Sequence, residues 1–145
     1  MPVVRLRDVP ELSEIGPDID TLVMKKAVGS ASRDPNFRMP ITTESLSLTY
    51  IKIFGRLRRI RCDESDRVMF VVAGDAIVQV GDEAPAHVEP GDFVLIPKGT
   101  PYEFKGNLTY VVVNSPAYRE GSDLRNNAYD GPPARPHVDG WKAQP

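Results

Sequence analysis

This chain has few cysteines and histidines and a small net charge. Cys62 is the one cysteine among 145 residues, so no internal disulfide can form, and a cytoplasmic location is the default expectation. The formal net charge is −2, without a basic excess or an acidic block, and we expect no nucleic-acid partner. Apolar runs such as residues 68–73 are far shorter than the ~18 residues of a membrane span, so we expect no membrane association. The first residues, MPVVRLRDVPEL, carry charges within any apolar stretch and do not resemble a secretory signal.

Proline and glycine, by contrast, are frequent. The 14 prolines and 11 glycines interrupt the chain every few residues, which argues against long helices. Between them lie short runs of β-forming residues, and Gly74-Asp75 carries the signal of a two-residue hairpin turn. Many short strands with closely spaced turns predict an all-β sandwich or barrel. The predicted strands are residues 3–6, 21–27, 46–54, 68–73, 76–80, 86–89, 93–96 and 108–114.

The pattern divides the chain into three parts. Residues 1–45 have mixed β-character and are interpreted as N-terminal strands. Residues 46–116 carry the regular alternation of strands and turns and form the barrel core. Residues 117–145 are rich in proline and glycine without a periodic apolar pattern, which predicts an irregular tail that lies over the domain or is partly mobile. Within it, Trp141 is either an anchor or a stray aromatic residue.

One segment, GDFVLIPKGTPYEF, has a recognisable spacing. Gly91, Pro97 and Gly99 stand where the second motif of the cupin family has its glycines and proline, and Tyr102 stands where that motif has a histidine. Gly91 and Gly99 suit turns that need positive φ, and Pro97 ends a strand because it has no N–H to donate. The chain therefore resembles the cupins, which are small jelly-roll β-barrels.

The first cupin motif is matched in its frame and not in its metal ligands. Counted from Gly55, the two histidine positions hold Arg61 and Asp63, the glutamate position holds Arg67, and Gly74 closes the motif. The resemblance implies a single cupin jelly-roll barrel. It also implies a metal site of three histidines and a carboxylate, and that ligand set is replaced here.

The replaced ligand positions predict a barrel without a metal or other cofactor. Arginine stays protonated and has no lone pair to offer, and one carboxylate cannot complete a coordination sphere. The two histidines are poor substitutes. His87 precedes Val88, whose side chain we expect to point inward, so His87 is expected on the surface, and His137 lies in the tail.

The four residues at the metal-ligand positions, Arg61, Asp63, Arg67 and Tyr102, could instead form an anion-binding pocket. Two inward arginines can grip a carboxylate or phosphate through forked hydrogen bonds, and a phenol and a carboxylate can exchange protons with a ligand. An alternative interpretation is an ion-pair network that plugs the barrel. The predicted catalytic residues are Tyr102 and Asp63, and the predicted substrate-binding residues are Arg61, Arg67, Tyr50 and Lys52.

Three functions remain open at this point. The first is a metal-independent isomerase or lyase that performs proton transfer on a small anionic metabolite. The second is a binding or regulatory module for such an anion, and the third is a metal-dependent dioxygenase with atypical ligands. The basic stretch GRLRRIR is either a charged strand edge or an anion or nucleic-acid patch. By resemblance to cupins we also expect a homodimer, with residues 1–45 as the dimerisation arm.

Overall fold

The computed structural model describes residues 3–16 and 19–124, and the regular secondary structure of these residues is almost entirely β-strand. A turn of 3₁₀ helix, Leu6–Asp8, precedes the strands, and the strand predicted over residues 3–6 is not formed. The described residues form nine strands: β1 (Leu12–Gly16), β2 (Ile19–Gly29), β3 (Ile41–Thr42), β4 (Ser47–Cys62), β5 (Asp66–Val80), β6 (Ala86–Val88), β7 (Phe93–Ile96), β8 (Tyr102–Ser115) and β9 (Asp123–Leu124). The all-β prediction is confirmed. A search of these residues for a helix capable of crossing a bilayer finds none.

Three long antiparallel strands, β4, β8 and β5, form the centre of the sheet. β2 and then β1 extend the sheet beyond β4. On the other side, β7 pairs with the first half of β5 and β6 with its second half. Short β3 runs parallel to β2, and β9 pairs with the end of β4. The sheet curls into a jelly-roll barrel, as the sequence predicts.

A glycine-lined bend gives the sheet its curl. Gly74 has φ +84°, and a Cβ placed on it would lie 2.1 Å from the carbonyl oxygen of Asn107 on β8. Gly106 has φ +138°, and its Cβ would lie 2.5 Å from the carbonyl oxygen of Asp75. β5 and β8 therefore bend together at close approach, which only glycine allows. The hairpin predicted at Gly74-Asp75 is wrong, because β5 continues through it while paired with β8 on both sides.

A bulge in β4 changes which side chains of that strand face inward. Leu57 pairs with Phe104 and Ile60 pairs with Tyr102, so two residues of β4 oppose one residue of β8. The extra residue shifts the alternation, and Leu57 and Ile60 both point into the barrel although they are three positions apart. Beyond the bulge the inward residues are therefore Ile60 and Cys62.

The bulge also buries one arginine of the basic stretch on the other face of the sheet. Arg59 is 3% exposed and forms an ion pair with Glu103, with Nη1 and Oε1 3.7 Å apart. The interpretation of GRLRRIR as a solvated strand edge therefore does not hold for Arg59. Glu103 points away from the neighbouring Tyr102, as strand alternation requires.

Inward side chains from all the long strands form one apolar core. Phe104 is fully buried, and its ring meets that of Tyr110 edge to face at 5.7 Å. Around it pack aliphatic side chains, each of which contributes about 1.5–3 kcal/mol when fully buried. They include Ile53, Leu57, Met69, Val71, Val78, Val94, Ile96 and Leu108.

The outer face of β5 and β7 carries an exposed apolar patch, made of Phe70, Val72, Phe93 and Leu95. Phe93 is 72% exposed and Leu95 62% exposed. The rings of Phe70 and Phe93 lie 4.7 Å apart. Exposed clusters of large apolar side chains are typical of protein contact surfaces.

Residues 116–124, which we call the strap, cross one end of the barrel. The backbone N–H of Ala117 donates to the carbonyl oxygen of Glu44, and that of Tyr118 donates to Oγ of Ser47. The strap ends in β9, which pairs with the last residues of β4. The first residues of the predicted tail thus lie over the domain. Residues 125–145, with His137 and Trp141, lie outside the described residues.

Candidate functional site: a cavity beneath the strap

A cavity of about 150 Å³ lies inside the barrel beneath the strap. A space of this size accommodates several water molecules or a small organic molecule. Part of its wall is apolar, formed by Leu22, Met24, Ile51, Leu57, Ile60 and Val112. The rest is polar or aromatic, formed by Lys26, Ser47, Thr49, Arg67, Tyr102, Tyr110, Asn114, Tyr118 and Asp123.

Arg67 is the buried cation of this wall, and three partners hold its guanidinium. Nε donates to Oδ1 of Asn114 at 2.9 Å, and Nη1 donates to the phenol oxygen of Tyr102 at 2.5 Å. Nη2 donates to Oδ1 of Asp123 at 3.0 Å. β5, β8 and the strap thus converge on one side chain. Arg67 is only 5% exposed, so its position is fixed by packing as well as by hydrogen bonds.

The guanidinium keeps its charge and part of its hydrogen-bonding capacity. Burial by itself lowers the pKa of Arg67, but attraction to Tyr102 and Asp123 outweighs it, and the pKa is raised above its ordinary value. A guanidinium has five N–H groups. The three contacts with described residues use one on each nitrogen, which leaves one on each terminal nitrogen. Two such N–H groups can bind both oxygens of a carboxylate.

The strap supplies two residues that complete the cavity. Asp123 is the counter-ion of Arg67, with its side chain 15% exposed. The ring centroid of Tyr118 lies 6.0 Å from Cζ of Arg67 and 5.7 Å from Nζ of Lys26. Tyr118 therefore lies within cation–π range of two cations.

The structure brings Arg67 and Tyr102 together and places Arg61 and Asp63 elsewhere. Neither Arg61 nor Asp63 lines the cavity. They form an ion pair with each other, with Nε and Oδ1 2.8 Å apart, and the side chain of Asp63 is 49% exposed. The physical reason is the bulge in β4, which turns Ile60 and Cys62 inward and Arg61 outward. An inward pair of arginines at 61 and 67 is therefore not formed.

Tyr50 and Lys52 also differ from expectation. They share a face of β4, but it is the outer face, and they line a groove beside the 3₁₀ turn together with Lys25 of β2. The alternation of β4 before the bulge explains this, since Thr49 and Ile51 are the residues that face the cavity. Tyr50 and Lys52 therefore lie on the face of β4 opposite to Thr49 and Ile51.

Comparison with protein-family models finds no match, and no curated protein matches at the sequence level. Solved structures do match in fold. One is a cupin 2 conserved barrel domain protein from Rhodopseudomonas palustris, with a TM-score of 0.58 and 17% identity, covering 78% of this chain and 75% of that one. This chain has the cupin fold.

Two further cupin-fold neighbours are described as enzymes. Pac13 from Streptomyces, described as a nucleoside dehydratase, has a TM-score of 0.61 and 14% identity, covering 83% of this chain and 87% of that one. The DMSP lyase DddQ from Ruegeria pomeroyi has a TM-score of 0.64 and 18% identity, covering 90% of this chain and 62% of that one. At these identities the likeness shows the fold.

The inward side chains at the usual cupin metal position do not suit a metal ion. Ile60 and Cys62 of β4 face Arg67 and Tyr102 there, and an isoleucine has no donor atom. The guanidinium is a fixed positive charge that repels a dication. Within the ranges that the structure describes, no three histidine, cysteine, aspartate or glutamate side chains lie close enough to share a metal. His87 is exposed on β6, and Cys62 is buried with Sγ 3.9 Å from Oγ of Ser122.

Sequence reasoning did not find several cavity residues. Asp123 and Tyr118 belong to a segment without periodicity, and nothing in their local sequence indicates that the strap returns to the barrel. Lys26, Thr49 and Asn114 are on strands that were predicted. Their inward direction depends on strand register, which the sequence pattern alone does not provide.

Proposed function

We propose that this protein binds a small organic anion in the barrel cavity, with Arg67 as the anion-binding residue and without a metal ion. The observation that carries the proposal is a buried guanidinium on the cavity wall whose hydrogen bonds to the described residues use one N–H of each nitrogen. Fixed donors of this kind bind carboxylates through two parallel hydrogen bonds. The cytoplasmic location and the lack of a nucleic-acid or membrane partner remain predictions from composition.

A purely structural ion pair is the alternative, and the cavity argues against it. A buried arginine and aspartate that only fill a barrel leave no space beside them, because interiors pack densely. Here about 150 Å³ remains next to the pair, and its wall includes a second cation, Lys26. One carboxylate therefore faces two cations, and an added anion would balance the charge.

Thermal-shift and calorimetric titration with small carboxylates and inorganic phosphate tests the binding. Arg67→Met should abolish binding of any ligand found with the wild type. Arg61→Met is the matched control, because this arginine pairs with Asp63 outside the cavity, and it should leave binding unchanged. If Arg67→Met does not fold, Arg67→Lys keeps the charge without the fork and should weaken binding at least tenfold. Undiminished binding in both Arg67 variants would refute the proposal.

An enzymatic role is the second candidate, supported by Tyr102 and Asp123 beside one anion-binding group. In a dehydration, Asp123 would take a proton from carbon while Tyr102 gives its proton to the departing hydroxyl group. Water leaves, the electrons of the C–H bond form the new double bond, and a proton passes from Asp123 through solvent back to the phenolate. The same pair could serve an isomerisation, epimerisation or cyclisation. Asp123 here takes the role predicted for Asp63, and the dehydratase and lyase neighbours are compatible with this chemistry.

Tyr102→Phe separates the enzyme from a non-catalytic binding module. The ring stays, and only the phenol oxygen that Arg67 contacts is removed. An enzyme should lose turnover at least 100-fold while its affinity for the ligand changes little, because acid–base groups contribute about 10²–10⁴-fold. Equal turnover in wild type and variant would remove Tyr102 from the catalytic role.

A further inference from the structure

A second cation lines the cavity and lies near the strap tyrosine, Tyr118. Lys26 of β2 lies 5.7 Å from the ring centroid of Tyr118, and Cζ of Arg67 lies 6.0 Å from the same centroid, so the two charges are within about 12 Å of each other. Both residues line the same cavity. Two positive groups at this separation can be bridged by one small ligand.

The charge of Lys26 is not balanced by a carboxylate of the described chain. Among the described residues, none of the ion pairs within 4.0 Å includes Lys26. Glu120 lines a small crevice next to it, but the carboxylate of Glu120 accepts from Oγ of Ser32 and from the backbone N–H of Arg33. Asp123 pairs with Arg67. Among the side chains that the structure describes, half-buried Lys26 therefore has an aromatic ring as its neighbour and no carboxylate within 4.0 Å.

Polar side chains connect the two cations along the inner face of the sheet. Lys26 stands opposite Thr49 on β4. Two residues before Thr49, Ser47 stands opposite Asn114 on β8, and Asn114 stands opposite Arg67 on β5. This polar row crosses four strands, and the rest of the cavity wall is largely aliphatic. A ligand with an anionic group at each end and a short carbon chain matches both parts of the wall.

We propose that the ligand is a small organic acid with two anionic groups, one bound by Arg67 and the other by Lys26. The inference rests on the proposed function, since it assigns the first anionic group to Arg67. Lys26 is then a specificity-determining residue: it selects dianions over monoanions of the same size. The ring of Tyr118 packs against the carbon chain between the two charged ends.

Calorimetric titration with succinate and with succinamate tests this assignment. The two probes have nearly the same size and shape, and succinamate carries an amide in place of one carboxylate. We expect the wild type to bind succinate at least tenfold more tightly than succinamate. Lys26→Met should reduce this ratio to about one, because it should weaken succinate binding much more than succinamate binding. Inorganic phosphate, titrated in parallel, shows whether one compact dianion satisfies the site equally well, in which case the two-ended assignment is wrong.

Lys25→Met is the matched control, because Lys25 is the neighbouring residue of β2 and its ammonium donates to the carbonyl oxygen of Leu6 outside the cavity. It should leave the preference for succinate intact. Equal affinity of the wild type for both probes would overturn the inference and leave the binding of anions by Arg67 standing. Failure of the wild type to bind either probe or phosphate would overturn both.

Discussion

Replacing Asp123 by asparagine should make the protein less stable and a better anion binder at the same time. Asp123 is the internal counter-ion of Arg67, with Nη2 and Oδ1 3.0 Å apart and side chains only 6% and 15% exposed. The Asp123→Asn change would keep the shape and one acceptor oxygen and would remove the negative charge. The guanidinium would then lack a counter-ion unless a ligand provides one.

The size of both effects follows from the burial of the pair. Breaking a fully buried ion pair costs about 3–5 kcal/mol. Because Asp123 keeps some exposure and an asparagine preserves an acceptor, we expect a loss of about 1–3 kcal/mol in the free energy of unfolding. That corresponds to a melting temperature about 3–10 °C lower for a chain of this length.

The gain in affinity should be about tenfold. Two unit charges about 4 Å apart attract by about 4 kcal/mol at an effective dielectric constant of about 20. In the Asp123→Asn variant, a ligand gains only part of this attraction to the guanidinium, because it binds N–H groups other than the one that Asp123 accepts from. A gain of about 1.4 kcal/mol, or about tenfold in the dissociation constant, is the expected result.

Thermal melting without ligand and calorimetric titration with succinate measure the two quantities. Asp63→Asn is the matched control, since Asp63 pairs with an arginine outside the cavity, and it should change stability by about 0–1 kcal/mol and affinity not at all. If Asp123→Asn binds succinate more weakly than the wild type, then Asp123 does not compete with the ligand and the account of the cavity is refuted.

Three further predictions concern the fold and its assembly. Gly74→Ala should lower the free energy of unfolding by at least about 2 kcal/mol, because the new Cβ meets a backbone oxygen. Gly91→Ala, also at positive φ but with open space around it, should lower it by only about 1 kcal/mol. Equal costs of the two variants in chemical denaturation would contradict the close approach of β5 and β8 at Gly74. Glu103→Gln should lower the free energy of unfolding by about 3 kcal/mol, because it removes the carboxylate charge beside buried Arg59. Glu64→Gln, in the exposed pair with Arg119, should lower it by less than about 1 kcal/mol, so similar melting of the two variants would contradict the buried pair. We further propose that the homodimer expected by resemblance to cupins uses the outer apolar patch and not residues 1–45 as its main contact. Phe93→Glu should then be monomeric by light scattering at concentrations where the wild type is dimeric, and a dimeric variant would rule this face out.

The barrel frame could be predicted from the sequence because it depends on local signals. The turns around Gly91 and Gly99 place β7 at Phe93–Ile96, where it was predicted. Runs of β-forming residues likewise located the central strands. The Gly74-Asp75 pair was misinterpreted because a positive-φ glycine is required both at a hairpin turn and at a bend, and local sequence does not distinguish them.

The composition of the cavity was harder to predict because it depends on long-range pairing. Spacing from Gly55 places Arg61 at a ligand position. The bulge before Ile60, however, turns Ile60 and Cys62 into the barrel and Arg61 out of it. Bulges leave no clear mark in a single sequence. Asp123 reaches Arg67 only because the strap folds back across the barrel, over a sequence separation of 56 residues.

The most direct measurement for the central claim is calorimetric titration of succinate into protein that has been dialysed against a chelator and whose metal content has been checked by elemental analysis. We predict that binding persists unchanged in the metal-free protein and disappears in Arg67→Met. Binding that is lost with the chelator and restored by a divalent metal would contradict an arginine-based anion site.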